Sequence, residues 1–328
     1  MKNIKYLAFI LLPLSILVTS CDPEEYFTPV VEVKFPPNKP RLVVYSEMWE
    51  GQDSLTVFVT QSRGALDNKP FPSVADTIRY VVKINGKDST FTYINVYGSS
   101  DTVNNPTVEL YKNELLIATF KKGSTAGFYI TKLPTKLRSD GATYRLKVSA
   151  NGFETVEAVQ KMPTPAAIDT IIYRPKVRLT DPREPLDYVT VDEFAISFKD
   201  PIGEKNYYTA EGFYQYRAGR DSFYQFLNVY SLDPISTDNY LSDETFDGKS
   251  AVWRQHGYFF NNNTAGTKMR FYLISLSEAN YLYKLSLKRF YSAQDNPFAE
   301  PVILYTNVKN GYGLFSMGGY REYSFTAK

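Results

Sequence analysis

The stretch that decides the fold is Tyr144-Arg145-Leu146-Lys147-Val148-Ser149-Ala150-Asn151-Gly152-Phe153-Glu154-Thr155-Val156-Glu157-Ala158-Val159. Its first five residues alternate between apolar and charged side chains. Asn151-Gly152 suits a turn that needs positive φ, and alternation returns from Glu154 onward. A period of two puts alternate side chains on opposite faces of a strand, so the segment reads as a hairpin with one dry and one wet face. The pattern recurs upstream. Leu42-Val43-Val44-Tyr45-Ser46 is a short apolar strand, and Leu55, Val57 and Val59 alternate with Thr56, Phe58 and Thr60. Ile78 to Ile84 leads into the turn signal Asn85-Gly86-Lys87-Asp88, and Val108 to Tyr111 and Leu115 to Ala118 continue the series. Short strands at close spacing without a helical interlude predict an antiparallel sandwich.

Met162-Pro163-Thr164-Pro165-Ala166 interrupts the series, because each proline removes a ladder donor. A chain of roughly 300 residues is more than one core normally fills. The sequence therefore predicts a mainly β protein in two parts: a β-sandwich over 41–162 and a second β-rich domain over 163–328. The second opens with Ile168-Asp169-Thr170-Ile171-Ile172-Tyr173 and includes Phe194-Ala195-Ile196-Ser197-Phe198. One short helix is expected near its end. Ser275 and Glu278 have capping-box spacing, and Ala279, Tyr283, Leu287 and Phe290, with Leu282 beside them, form a stripe that reads as a packed core face. Val302-Ile303-Leu304-Tyr305 reads as a return to strand, and Gly311-Tyr312-Gly313 and Gly318-Gly319-Tyr320 read as turns.

The first twenty residues have the layout of a signal peptide. Lys2 and Lys5 precede an apolar run from Tyr6 to Val18, which is shorter than the ~20 residues a spanning helix needs. The run ends in Val18-Thr19-Ser20-Cys21, which resembles the lipobox of bacterial lipoproteins. That resemblance implies cleavage between Ser20 and Cys21 and acylation of Cys21. Cys21 is the sole cysteine, so no intramolecular disulfide or cysteine-based zinc cluster can form. Residues 21–40 read as a lipid-anchored tether, acidic at Asp22, Glu24 and Glu25 and then rich in proline. Acids close behind the cysteine also resemble the surface-export signals of Bacteroidota lipoproteins, although an aspartate there marks inner-membrane retention in enterobacteria. The expected location is the outer membrane, lipid-anchored and facing the cell surface.

Removal of Lys2 and Lys5 turns 37 basic and 35 acidic residues into 35 and 35. A formally neutral chain lacks the basic excess that nucleic-acid binding uses, so no nucleic-acid partner is expected. His256 is the only histidine, which excludes a site built on several imidazoles, and no nucleophile elbow surrounds it. It reads as a packed or surface histidine. Gly248-Lys249-Ser250 has the tail of a P-loop, but position 243 is Asp rather than Gly. Asp243, Glu244 and Asp247 could offer oxygens to calcium, yet lack EF-hand spacing and read as a solvated acidic turn. No catalytic residue, metal ligand or cofactor is assigned. The segment 207–230 is rich in aromatics. Tyr207, Tyr208, Tyr214, Tyr216, Tyr224 and Tyr230 are its candidate contacts for a partner or ligand, if alternation turns several of their rings outward.

Asn296-Pro297-Phe298-Ala299-Glu300-Pro301 followed by Asn307 to Phe315 resembles the end of a Bacteroidota outer-membrane lipoprotein family of unknown function. Supporting matches are Ser62-Arg63 with Asp67, Asp200-Pro201 with Asn206-Tyr207-Tyr208, and Asp243-Glu244 with Phe246-Asp247-Gly248. Members are often encoded beside TonB-dependent receptors. The resemblance implies an immunoglobulin-like or transthyretin-like N-terminal sandwich, a second β domain and no catalytic residues. The expected role is a non-catalytic accessory lipoprotein of an outer-membrane β-barrel, a TonB-dependent receptor, in capture or gating. A structural subunit of an envelope assembly is the alternative, with a carboxylate-dependent hydrolase behind it.

Overall fold

The computed structural model describes residues 39–64, 74–84, 87–97, 101–181, 184–218, 221–232, 236–237, 239–257, 266–294, 299–300 and 302–327. The signal peptide, Cys21, the tether to residue 38, Asp67 and the Asn85-Gly86 turn lie outside these residues. Residues Pro40–Lys328 form one compact unit.

The first half holds β1 (Leu42–Trp49), β2 (Ser54–Gln61), β3 (Val74–Ile84), β4 (Lys87–Tyr97), β5 (Asp101–Thr102) and β6 (Thr107–Lys112). It continues with β7 (Leu115–Thr119), β8 (Lys121–Lys122), β9 (Phe128–Lys132), β10 (Thr143–Ser149) and β11 (Val156–Lys161). The second half holds β12 (Ile168–Asp181), β13 (Glu184–Lys199), β14 (Tyr207–Ala218), β15 (Asp221–Leu227), β16 (Val229–Tyr230) and β17 (Ser236–Thr237). After them come β18 (Tyr240–Ser242), β19 (Ser250–Gly257), β20 (Lys268–Leu276), the helix α1 (Glu278–Gln294) and β21 (Tyr312–Thr326). The protein is mainly β, with α1 the one helix among the described residues.

The deciding hairpin forms as read. β10 pairs antiparallel with β11, Val148 opposite Val156, and Gly152 adopts φ +84 at the turn. Tyr144, Leu146 and Val148 face inward while Arg145 and Lys147 face the wet side. β10 also pairs β6, which pairs β7, giving an antiparallel four-stranded sheet. Its dry face shares a core with β1 and β2, where Leu110, Leu146 and Val156 belong to the same buried cluster as Val44, Val57 and Val59. A second core joins the four-stranded sheet β12-β13-β19-β16 to β14 and β20. Phe194, Ile196, Phe198 and Trp253 there cluster with Tyr208, Tyr214, Phe271 and Leu273.

The change of core coincides with the proline segment: Met162 belongs to the first cluster and Ala166 to the second. The sheet does not break there. One 11-stranded sheet runs β17-β18-β14-β20-β21-β1-β2-β9-β8, with β15 beside β14 and β5 beside β2, and so takes strands from both halves. Its joint is β21, which pairs parallel with β1 over Tyr312–Gly318 and antiparallel with β20 over Gly318–Thr326.

Three local readings need correction. Gly313, Gly318 and Gly319 lie within a 15-residue strand rather than in turns, whereas Gly311 sits in the bend just before it. A Cβ on Gly318 would lie 2.5 Å from the Trp49 ring, and one on Gly319 2.4 Å from Pro165, so their absence seats those side chains. Residues 302–305 form no strand. β21 already has a neighbour on each side, and Ile303 stands 89% exposed while the Tyr305 N–H donates to Ser286 Oγ on the helix. The helix cap is Ser277, whose Oγ accepts the Asn280 N–H at 3.4 Å; Ser275 lies in β20, where its Oγ accepts the Ala166 N–H. Ala279 is buried, but Leu282, Tyr283, Leu287 and Phe290 are only half-buried because α1 lies on the sheet surface.

Candidate functional site

The paired stretches around Asp200 and Asp243 are far apart in sequence and meet in space. Asp200, Asp243 and Asp247 bring carboxylate oxygens within 4.8 Å of one another. Asp200 and Asp243 are buried, at 1% and 3% exposure, which corrects the reading of a merely solvated turn. Each acid is held by the opposing loop. Asp200 accepts the Tyr208 hydroxyl and, at 2.9 Å, the Gly248 N–H. Asp247 accepts the Gly203 N–H at 2.9 Å, and Asp243 accepts the Asn206 N–H at 2.8 Å. The Asn206 side-chain amide donates to the Pro201 and Glu204 carbonyls and so braces the same loop.

Burial raises the Asp200 carboxyl above the usual carboxylate range, the Tyr208 and Gly248 hydrogen bonds pull it back, and Asp243 and Asp247 add to the rise. The Tyr208 phenol is raised by burial and by the carboxylate it bonds. Three oxygens at this spacing suit a hard cation in principle, but each acid is already engaged with the backbone of the other loop. The cluster therefore reads as a polar clasp that fixes the loop before β14 to the loop after β18. The sequence names Asp200 only within the family resemblance and does not group it with Asp243, because only the fold brings the two together.

Of the six tyrosines singled out, Tyr208 and Tyr214 lie in the second core, and Tyr207 is buried against the helix. Tyr207 donates to Glu278 and stacks on Tyr281 at 4.5 Å. These three rings are spent on packing and offer no face to a partner. Tyr230 is half-buried beside His256, at 5.9 Å between rings, and the Tyr216 side chain lies outside the described residues. Tyr224 alone of the six is described as exposed, at 39%.

Tyr224 belongs to a face that the tyrosine list missed. Alternation turns Phe213, Arg270, Tyr272 and Tyr320 away from the second core, whereas Tyr214, Phe271 and Leu273 turn into it. Phe226 meets Phe213 at 5.5 Å, Phe213 meets Tyr272 at 5.7 Å, and Tyr272 meets Tyr320 at 5.4 Å. All three contacts are edge-to-face, and they form a continuous aromatic row across β15, β14, β20 and β21. Arg270 lies over the Tyr224 ring at 4.1 Å and pairs with Glu322 at 3.0 Å. The helix covers only the other end of this face, where Tyr281 packs with Tyr207, Ile274 and Leu276. Beyond it Phe226 and Tyr320 stand 55% and 46% exposed.

His256 is buried in β19, with Glu193 at 3.6 Å, which bears out a packed rather than a surface position. Its Nδ1 and both amide atoms of Gln255 are buried without a hydrogen-bond partner. Arg63, which the sequence grouped with Asp67, pairs with Asp101. Among the described residues no helix is long and apolar enough to cross a membrane.

No curated protein matches the chain. A family's sequence profile does match, over residues 24–324, and the chain thereby belongs to the family described as Domain of unknown function (DUF4249).

Proposed function

We propose that this protein is a non-catalytic binding module, lipid-anchored through Cys21 at the outer membrane and facing the cell surface. Its partner there is a β-barrel of the TonB-dependent receptor type, which it serves in capture or gating. The observation that carries the reading is the uncovered aromatic row, with Phe226 and Tyr320 exposed and Arg270 over Tyr224. Soluble chains rarely leave such rings together without a partner, and Tyr, Phe and Arg are enriched at interfaces. The face is a sheet surface rather than a pocket, which favours a macromolecule over a small substrate. The acid cluster supports the non-catalytic part, because each of its carboxylates accepts a loop N–H and so serves to hold two loops together. A lipid anchor would raise the effective concentration of a nearby barrel, so a modest contact suffices.

The flatness of the same face also suits a structural subunit of an envelope assembly, and one experiment separates the readings. Crosslinking in intact cells, followed by pull-down, is run on the parent chain and on Tyr224→Ser with Phe226→Ser. Recovery of a barrel that the double variant loses supports the proposal. Recovery of other envelope proteins without a barrel supports the assembly role, and recovery of the protein alone, with efficient crosslinking, removes both.

A further inference from the structure

At the opposite end of the 11-stranded sheet, β2, β9 and β8 border an open groove of about 660 Å³. Lys121, Lys122 and Lys132 line it together with the hydroxyl residues Ser54, Thr56 and Thr131. We propose that this groove binds a phosphate-bearing ligand. The inference is independent of the aromatic face and of the partnership proposed for it.

The strand register gathers the charges. Lys132 stands opposite Ser54, Ile130 opposite Thr56, and Lys121 opposite Ile130, so these five side chains share one face of three adjacent strands. None of the three lysines has an acidic partner within ion-pair range among the described residues, and no carboxylate lines the groove. Lysines often guard a sheet edge against pairing with another chain, and that accounts for Lys121 and Lys122 on β8. It does not account for Lys132, because β9 lies between β2 and β8. Lys121 and Lys132 share that face, Lys122 adds a third charge at the rim from the neighbouring position, and a bound anion relieves their mutual repulsion. Lysine ammonium groups hold phosphate as point charges, and hydroxyl groups can donate to its remaining oxygens. Ile130, 49% exposed beside them, gives the ligand an apolar neighbour. Because the whole chain is close to neutral, with 37 basic and 35 acidic residues, the attraction is local.

Phosphate of this kind comes from a lipid headgroup or from a soluble phosphorylated molecule, and two probes tell them apart. Residues 22–328, which retain the whole compact unit, are tested for co-sedimentation with phosphatidylcholine vesicles made with and without phosphatidylglycerol. Titration with inorganic pyrophosphate, read by calorimetry, is the second arm. Lys121→Gln, Lys122→Gln and Lys132→Gln are combined in one variant. A control with the same loss of charge carries Lys161→Gln, Lys249→Gln and Lys309→Gln, all exposed and outside the groove. Each lysine near an anionic surface contributes about a factor of five, so the groove variant should bind roughly a hundredfold more weakly. The control should bind like the parent. Binding to the anionic vesicles assigns a headgroup, and binding to pyrophosphate alone assigns a soluble ligand. Failure of the parent to bind either probe, or an equal loss in the control, overturns the proposal.

Discussion

Replacing Gly313 by alanine tests the joint between the two halves. Gly313 lies in β21 directly opposite Val44 of β1, with φ +111. An added Cβ would sit 2.0 Å from the Val44 carbonyl oxygen and 2.8 Å from its carbon, and both are backbone atoms that no rotamer change can move. The positive φ costs an alanine about 1–2 kcal/mol. Forcing the two strands apart costs about 1–3 kcal/mol by analogy with overpacked cores. The sum is about 2–5 kcal/mol, a large part of the roughly 5–15 kcal/mol that holds an ordinary fold together. At about 2–4 °C per kcal/mol, the melting temperature should fall by roughly 10 °C. Gly141→Ala is the matched control: its φ is +74, but no atom lies within 4 Å of the added Cβ, so only the backbone cost applies. Both variants are melted by circular dichroism. A Gly313→Ala protein no less stable than Gly141→Ala would refute the claim that β1 and β21 need this close approach.

Ser277→Ala should cost about 1 kcal/mol by removing the cap of α1, and hydrogen exchange should rise first at the Asn280 amide. Asp200 gives a pH dependence with a definite sign. Its folded-state pKa is raised, so its contribution to stability is fully present below the ordinary carboxylate value and is lost as pH rises through the raised one. Asp200→Asn should flatten that part of the profile in denaturant titrations from pH 4 to pH 7; an unchanged slope would reassign it to other groups. Cys21→Ala should abolish incorporation of labelled fatty acid, and a labelled alanine variant would remove the lipid anchor from the proposal.

Strand positions were legible wherever one face is dry and the other wet, as in Tyr144–Val148, because a two-residue period is local information. Which tyrosines face the core was not legible. Tyr207 and Tyr208 alternate faithfully, yet both faces of their strand are covered, one by the second core and the other by α1. Gly318 and Gly319 carry the usual turn signal, and only Trp49 and Pro165, distant in sequence, explain why they stand inside a strand. The apolar stretch 302–305 looks like a strand because composition cannot report that the available sheet positions are taken. The acidic clasp stayed hidden for the same reason, since it takes one carboxylate from before β14 and two from after β18.

The position of β21 bears on the order in which the protein can be made. Phe315 and Met317 complete the first core, while Tyr323 and Phe325 pack against the second, so both cores draw on the same 15-residue strand. During synthesis β1 emerges well before β21 does. Until β21 arrives, the flank of β1 is an unpaired parallel edge, and the dry faces of both halves stay partly open. Each core therefore lacks part of its apolar lining until β21 arrives and is completed only then. A chain cut short before Tyr312 would leave both cores open to proteolysis or aggregation, so quality control needs to recognise only this one missing strand.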